Sequence, residues 1–240
     1  MPSVVPEAGR SRKAIVGSTA DRKARYLDGM SDLVTLPPAP RLAIEGDART
    51  FPVGRVFCIG RNYADHAREM GAAAEAIFFA KPADAVTTAS HIPFPPETAD
   101  LHHEVELVLA LGEDGEIAAS GVGVDLTRRD LQTRMKEKSA PWEIAKGFRH
   151  SAPTGALRRG PPPASGAIAL TVNGQTRQSG DLGLMILKPQ ALLAELGRFF
   201  ELSPGDLVFT GTPAGVGPLN RGDRVRATVD GLPPLDFTLD

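Results

Sequence analysis

The segment His102-His103-Glu104-Val105-Glu106-Leu107-Val108-Leu109-Ala110-Leu111 alternates with a period of two. In an extended chain successive side chains point to opposite faces. Val105, Leu107, Leu109 and Leu111 therefore share one face, and Glu104, Glu106, Val108 and Ala110 share the other. The pattern predicts a strand over His103–Leu111 with an apolar core face. Its second face begins with two carboxylates on the same side, which repel each other unless solvent or a cation separates them. An isolated Glu-x-Glu is most often the wet face of a half-solvated sheet. Here a second strand-like run, Gly121–Asp125, follows closely and ends in a third carboxylate. Asp125 alone is more commonly a helix-capping residue. Together, two glutamates and an aspartate form a hard-oxygen set that suits Mg²⁺ or Mn²⁺ better than zinc.

Outward from this segment the chain reads as short strands joined by turns. Its 25 Gly and 21 Pro are spread along the whole length. Upstream, Leu36–Leu42 is an extended lead-in because repeated prolines remove helix donors. Arg55–Gly60 is a buried strand, Ala64–Met70 a helical turn, and Phe78–Ala80 and Val86–Thr88 are strands. Downstream, Leu126–Lys138 reads as a helix with Thr127 as a possible N-cap. Ala167–Val172, Asn173-Gly174 and Gln175–Gln178 spell a hairpin, since Asn-Gly suits a type I′ turn. Pro189–Phe200 has helical spacing, and Leu207–Thr210, Arg224–Val229 and Leu235–Leu239 close the chain as strands. The residues thus predict one α+β domain, predominantly β, over 51–240. It follows an N-terminal extension and lead-in over 1–50, in which Met30 is a candidate natural start.

Three further groups could carry chemistry. In Asp65-His66-Ala67-Arg68-Glu69, His66 and Glu69 fall three apart and share a helix face. A carboxylate beside an imidazole can orient it and raise its basicity, although a casual surface ion pair has the same spacing. Lys146, in Pro141-Trp142-Glu143-Ile144-Ala145-Lys146, lies near apolar residues, where snorkelling to solvent is the ordinary outcome. Arg129 and Gln132 share a face of the helix after Asp125, a position that usually means solvation. Gly211-Thr212-Pro213-Ala214-Gly215-Val216-Gly217 lacks the Gly-Lys-Ser/Thr ending of a phosphate loop. Its glycines suit a tight turn that brings backbone close to a ligand.

Bulk properties narrow the function class. Charged residues make up 23% and the formal net charge is −2, with no long basic block, so nucleic acid is not expected as a partner. No apolar run approaches the ~18 residues needed to cross a bilayer, and a cytoplasmic location is expected. The single cysteine, Cys58, excludes an intramolecular disulfide framework and reads as a buried, inert thiol.

These motifs, in order, resemble one family. Ile59-Gly60-Arg61-Asn62-Tyr63-Ala64-Asp65-His66, Phe79-Ala80-Lys81-Pro82, His102-His103-Glu104-Val105-Glu106-Leu107, Val124-Asp125-Leu126-Thr127-Arg128-Arg129-Asp130-Leu131-Gln132, Pro141–Lys146, Val172-Asn173-Gly174, Pro204-Gly205-Asp206 and Gly211–Gly217 are similar to landmarks of the fumarylacetoacetate hydrolase family. The resemblance runs from about Arg55 to the C-terminus. It implies a mixed β-sandwich roll of that family's C-terminal type, a homodimer, and a divalent metal (Mg²⁺ or Mn²⁺) on Glu104, Glu106 and Asp125. It further implies a water-activating pair, His66 with Glu69, an anion-stabilising Lys146, and contacts from Arg129, Gln132 and Thr212 to a small 2-oxo acid substrate. The implied reaction is hydrolytic C–C cleavage of an acylpyruvate.

Asp125–Lys146 looks most like bacterial fumarylpyruvate hydrolases of aromatic-acid breakdown. Oxaloacetate decarboxylases and isomerases of hydroxymuconate-type diacids share the implied metal-enolate chemistry. A non-catalytic metal or oxo-acid binder is the alternative of another class, although it has no need of His66, Glu69 and Lys146 together. The chain departs from the family pattern in a short connection between Gly112 and Gly123 and a compact, Ala-rich Gly71–Ile77. These departures predict a more open, less selective cleft.

Overall fold

A computed structural model describes residues 33–65 and 76–240. The chain divides into two units, Met1–Pro38 and Ala39–Asp240, and every strand and helix named below belongs to the second. Its centre is a six-stranded mixed sheet in the order Arg158–Arg159, Ile117–Val124, Val105–Leu111, Leu207–Phe209, Val56–Gly60, Ile77–Lys81. A five-stranded sheet, in the order Gln175–Asp181, Ala167–Val172, Arg224–Val229, Leu235–Leu239, His91–Ile92, packs against it. The second unit is therefore predominantly β, with short helices at Arg129–Glu137, Glu143–Lys146 and Pro189–Leu196.

The alternation in the central strand is what makes it central. Val105, Leu107, Leu109 and Leu111 enter the core shared with Ile168, Leu170, Val225 and Phe237 of the second sheet. Val108 and Ala110, on the opposite face, enter another core with Leu42, Phe51, Leu157 and Phe209. Both faces are covered, so all seven residues of Val105–Leu111 are buried. Each core leucine loses most of its contact with water, which stabilises the fold by roughly 1.5–3 kcal/mol per side chain.

The strand expected over His103–Leu111 is in fact two. Leu101–His103 pairs with Thr127–Arg128 and Gly217–Leu219 in a separate three-stranded sheet. Val105–Leu111 then joins the central sheet between Ile117–Val124 and Leu207–Phe209. The chain changes sheets at Glu104, because the Val105 N–H goes to the side chain of Gln178 at 3.0 Å rather than to a strand. The helix expected from Leu126 begins instead at Arg129. Thr127 and Arg128 are drawn into pairing with His102 and Leu101, and the Thr127 hydroxyl accepts from Lys146 rather than capping.

Other expectations hold closely. Ala167–Val172 and Gln175–Asp181 form the hairpin, with Asn173 at φ 53° and Gly174 at φ 80°, the two positive angles a type I′ turn requires. Arg224–Val229 and Leu235–Leu239 are strands with the expected bounds. The short connection after Gly112 is a single 3₁₀ turn, Glu113–Gly115, which folds Ile117–Val124 back along Val105–Leu111. A further hairpin, Arg41–Ile44 with Asp47–Pro52, had no counterpart in the sequence pattern. It buries Leu42 and Phe51 in the second core. Among the described residues no helix is long and apolar enough to cross a membrane.

Candidate metal centre

The crossing between sheets assembles three carboxylates. The Asp125 N–H donates to the Glu104 carbonyl at 2.8 Å, which sets these residues opposite each other across neighbouring strands. Glu106 lies two residues along from Glu104 and projects on the same side. One carboxylate oxygen from each of Glu104, Glu106 and Asp125 falls within 4.8 Å of the others, and all three residues are buried. Burial first, and then the Asp125 and Glu104 charges, push the Glu106 carboxyl well above the usual carboxylate range. The Gly211 N–H, donating to Glu106 Oε2 at 2.6 Å, only partly offsets this. Gly211 sits at φ +93°, and a Cβ there would lie 2.8 Å from the Asn62 Cβ, so glycine lets the backbone approach the carboxylate.

Cations surround the triad. Lys146, on the four-residue helix Glu143–Lys146, donates from Nζ to Glu104 Oε2 at 3.0 Å, Asp125 Oδ2 at 2.6 Å and Thr127 Oγ1 at 2.6 Å. The side chain points inward and does not snorkel. Burial pulls its ammonium pKa down, but the Asp125 and Glu104 carboxylates outweigh that, and the net shift is upward. Lys81 was not singled out for a role in the sequence, yet its ammonium is fully buried and lies 2.9 Å from Asp125 Oδ1. That contact is an ion pair outside hydrogen-bond alignment. The aligned bonds of Lys81 go to Ser151 Oγ at 2.9 Å, to the Ser151 carbonyl at 3.1 Å and to the Lys146 carbonyl. Lys81 ends the apolar strand Ile77–Lys81 just before Pro82, a place from which a lysine ordinarily reaches solvent.

Arg129 also turns to the triad, donating from Nη2 to Glu104 Oε1 and from Nη1 to Gln132 Oε1 at 2.6 Å. With its oxygen engaged there, the Gln132 amide leaves its N–H donors for other partners. Arg129 Nε donates to His102 Nδ1 at 3.3 Å, and His102 Nε2 lies 2.9 Å from Asp100 Oδ1, which fixes the Nε2–H tautomer. Thr212 is buried, and its hydroxyl accepts from Gln178 Nε2 at 2.7 Å. Thus six of the nine expected site residues lie at or beside one buried crossing: Glu104, Glu106, Asp125, Lys146, Arg129 and Gln132. Thr212 follows Gly211, whose N–H binds Glu106. His66 and Glu69 fall outside the described residues, as do 71–75 of the compact Ala-rich loop.

The arrangement fits a divalent cation. Its three ligands are hard oxygens, and the high pKa of Glu106 marks a place where added positive charge lowers the energy of the ionised carboxylate. The lone thiol takes no part: Cys58 is fully buried, and burial pushes its pKa well up.

Residues 55–240 match the family model described as fumarylacetoacetate (FAA) hydrolase C-terminal. Oxaloacetate tautomerase YcgM of Escherichia coli (strain K12) is 40% identical over 78% of this chain and 93% of its own length. A fumarylpyruvate hydrolase of Ralstonia sp. is 35% identical over 69% of this chain and 93% of its own. Among solved structures, fumarylpyruvate hydrolase from Pseudomonas aeruginosa, in complex with Mn²⁺ and pyruvate, superposes with a TM-score of 0.85. It is 43% identical, over 87% of this chain and 99% of that one.

Proposed function

This chain belongs to the fumarylacetoacetate hydrolase family, and on that footing we propose that it hydrolyses the C–C bond of an acylpyruvate. The substrate is a 2,4-dioxo acid of fumarylpyruvate type, and the products are pyruvate and a second carboxylic acid. The observation that carries this reading is the buried Glu104–Glu106–Asp125 triad with the Lys146 ammonium on two of its members. Lys81, Lys146 and Arg129 pair with Asp125 and Glu104, so with all three carboxylates ionised as metal ligands these protein groups balance to near neutrality. Adding Mg²⁺ or Mn²⁺ would leave about two positive charges to meet a doubly charged oxo acid.

Glu104, Glu106 and Asp125 would hold the cation, which when bound supplies Lewis-acid polarisation of the substrate's 2-oxo carboxylate. His66, oriented by Glu69, takes a proton from the water that adds to the distal carbonyl. The C–C bond then breaks with its electron pair moving onto the pyruvate fragment. Carbon leaves only because that pair spreads onto the neighbouring carbonyl oxygen. Lys146, a buried fixed charge, stabilises the developing anion. Arg129, Gln132 and Thr212 bind carboxylate and oxo oxygens. The setting is a cytoplasmic homodimer in the breakdown of aromatic acids.

A second reading is favoured by the 40% identity to the E. coli oxaloacetate tautomerase: a proton shift on an oxo acid with no water added. Product analysis separates the two. Incubation with fumarylpyruvate should release equal amounts of pyruvate and fumarate, and His66→Ala should abolish this. Rapid keto–enol equilibration of oxaloacetate, with no acid released from any acylpyruvate, would establish the second reading instead.

A further inference from the structure

Gln178, on strand Gln175–Asp181, is fully buried and binds at both ends of its amide. Its Oε1 accepts from the Val105 N–H at 3.0 Å and lies 2.8 Å from His103 Nδ1. Its Nε2 donates to the Pro213 carbonyl at 3.0 Å and to Thr212 Oγ1 at 2.7 Å. A backbone N–H can only donate and a carbonyl can only accept, so Val105 and Pro213 together leave the amide a single orientation. Thr212 Oγ1 therefore receives a hydrogen bond from Gln178. Its own hydrogen finds no acceptor among the described residues and remains to be given away.

We infer that Gln178 is a positioning residue that biases the Thr212 hydroxyl toward donating its hydrogen to the substrate, so that the site favours a group that only accepts: a carboxylate or oxo oxygen. The inference rests on the placement of Thr212 against the substrate in the proposed reading. A free threonine hydroxyl turns to donate or accept as its partner demands, and discriminates poorly between an acid and its amide. With one lone pair taken by Gln178, donation is favoured, and an incoming N–H meets an oxygen already engaged. The same logic applies beside it, where Arg129 engages the Gln132 oxygen and leaves that amide's N–H donors for other partners.

The test is selectivity, which partial loss of folded protein does not alter. Binding of oxalate and of oxamate, its monoamide, is measured by calorimetry on the Mn²⁺-loaded protein. The wild type should prefer oxalate. Gln178→Met frees the hydroxyl to turn, and the oxalate-to-oxamate affinity ratio should fall roughly tenfold or more, the scale of one hydrogen bond to a charged group. Thr212→Val should lower the ratio similarly, the double variant should lower it no further, and Thr212→Ser should keep it. If Gln178→Met does not fold, Gln178→Glu, whose carboxyl keeps an acceptor for the Val105 N–H but has no amide N–H for Thr212, supplies the same readout. A ratio unchanged in either single variant, or losses that simply add in the double, overturns the assignment. This outcome is separate from the hydrolase reading, because binding is measured whether or not any acylpyruvate is cleaved.

Discussion

Glu106 is a carboxylate held where two like charges and the loss of water both oppose its ionisation. Replacing it by the neutral isostere removes a repulsion together with a ligand. We predict that metal-free Glu106→Gln is within about 1 kcal/mol of wild type in denaturant unfolding, or more stable. The stabilisation by Mn²⁺ should disappear: in wild type it should reach about 2.7 kcal/mol at a hundredfold excess over Kd. A variant that unfolds without metal yet still gains from Mn²⁺ would contradict this. At this scale the sequence announced Glu104, Glu106 and Asp125 only in combination, since Glu-x-Glu alone reads as a wet sheet face and Asp125 alone as a helix cap. Three carboxylates brought together in a buried place repel one another unless a cation separates them. Lys81 and Gln178 were silent, because a lysine at a strand end normally reaches solvent and a glutamine in a hairpin normally faces it. Their burial follows from which loops pack over them, and no local pattern encodes that.

The element scale shows how tightly strand geometry controls the site. Gly123 pairs with Glu106 across the central sheet and stands two residues before Asp125. A Cβ at Gly123 would lie 2.6 Å from Phe209 Cε1 and 2.7 Å from Val108 Cγ2, so these packed side chains, or the strands that carry them, must shift. Gly123→Ala should cost about 1–3 kcal/mol by overpacking. It should weaken Mn²⁺ binding in calorimetry, although it adds no group to the site; unchanged affinity would show that the strand can shift without moving Asp125. Helix Arg129–Glu137 gives a pH-dependent case. Asp130 Oδ1 accepts from Thr98 Oγ1 at 2.7 Å and the Leu131 N–H at 2.8 Å, and Oδ2 from the Ala99 N–H at 3.2 Å. Burial raises its pKa, but these bonds outweigh that and hold it below the usual 3.8. The carboxylate therefore adds stability above the unfolded pKa, and loses it as pH falls through the folded value. Asp130→Asn should lower stability by about 0.5–1 kcal/mol at neutral pH. That gap should close as pH falls from above the unfolded pKa through the lower folded value, and a constant gap would contradict it. Strands with strict alternation were legible from sequence almost to the residue. The break at Glu104 was not, because the chain on both sides keeps the same period while its hydrogen-bond partners change.

Across the whole molecule, two cores press on the two faces of one mixed sheet, and the carboxylates sit where the chain leaves that sheet for a smaller one. This explains why the architecture could be read from scattered motifs: glycines, prolines and carboxylates mark crossings, and the apolar runs between them are interchangeable. The hairpin Arg41–Pro52 escaped notice because its two inward residues, Leu42 and Phe51, are too few to set a period. For the proposed homodimer, light scattering should return twice the 25.4 kDa chain mass, and a monomer mass would exclude it. On the proposed reading this buried triad makes the chain a metal-dependent acylpyruvate hydrolase. The most direct test of that reading is the loss of fumarylpyruvate absorbance, with pyruvate quantified in parallel, in Mg²⁺ or Mn²⁺ and then in EDTA. Stoichiometric pyruvate is expected with either metal and none after chelation, with activity restored by adding metal back. Cleavage that continues undiminished in EDTA, or no pyruvate from a folded protein with Mn²⁺ bound, would contradict it.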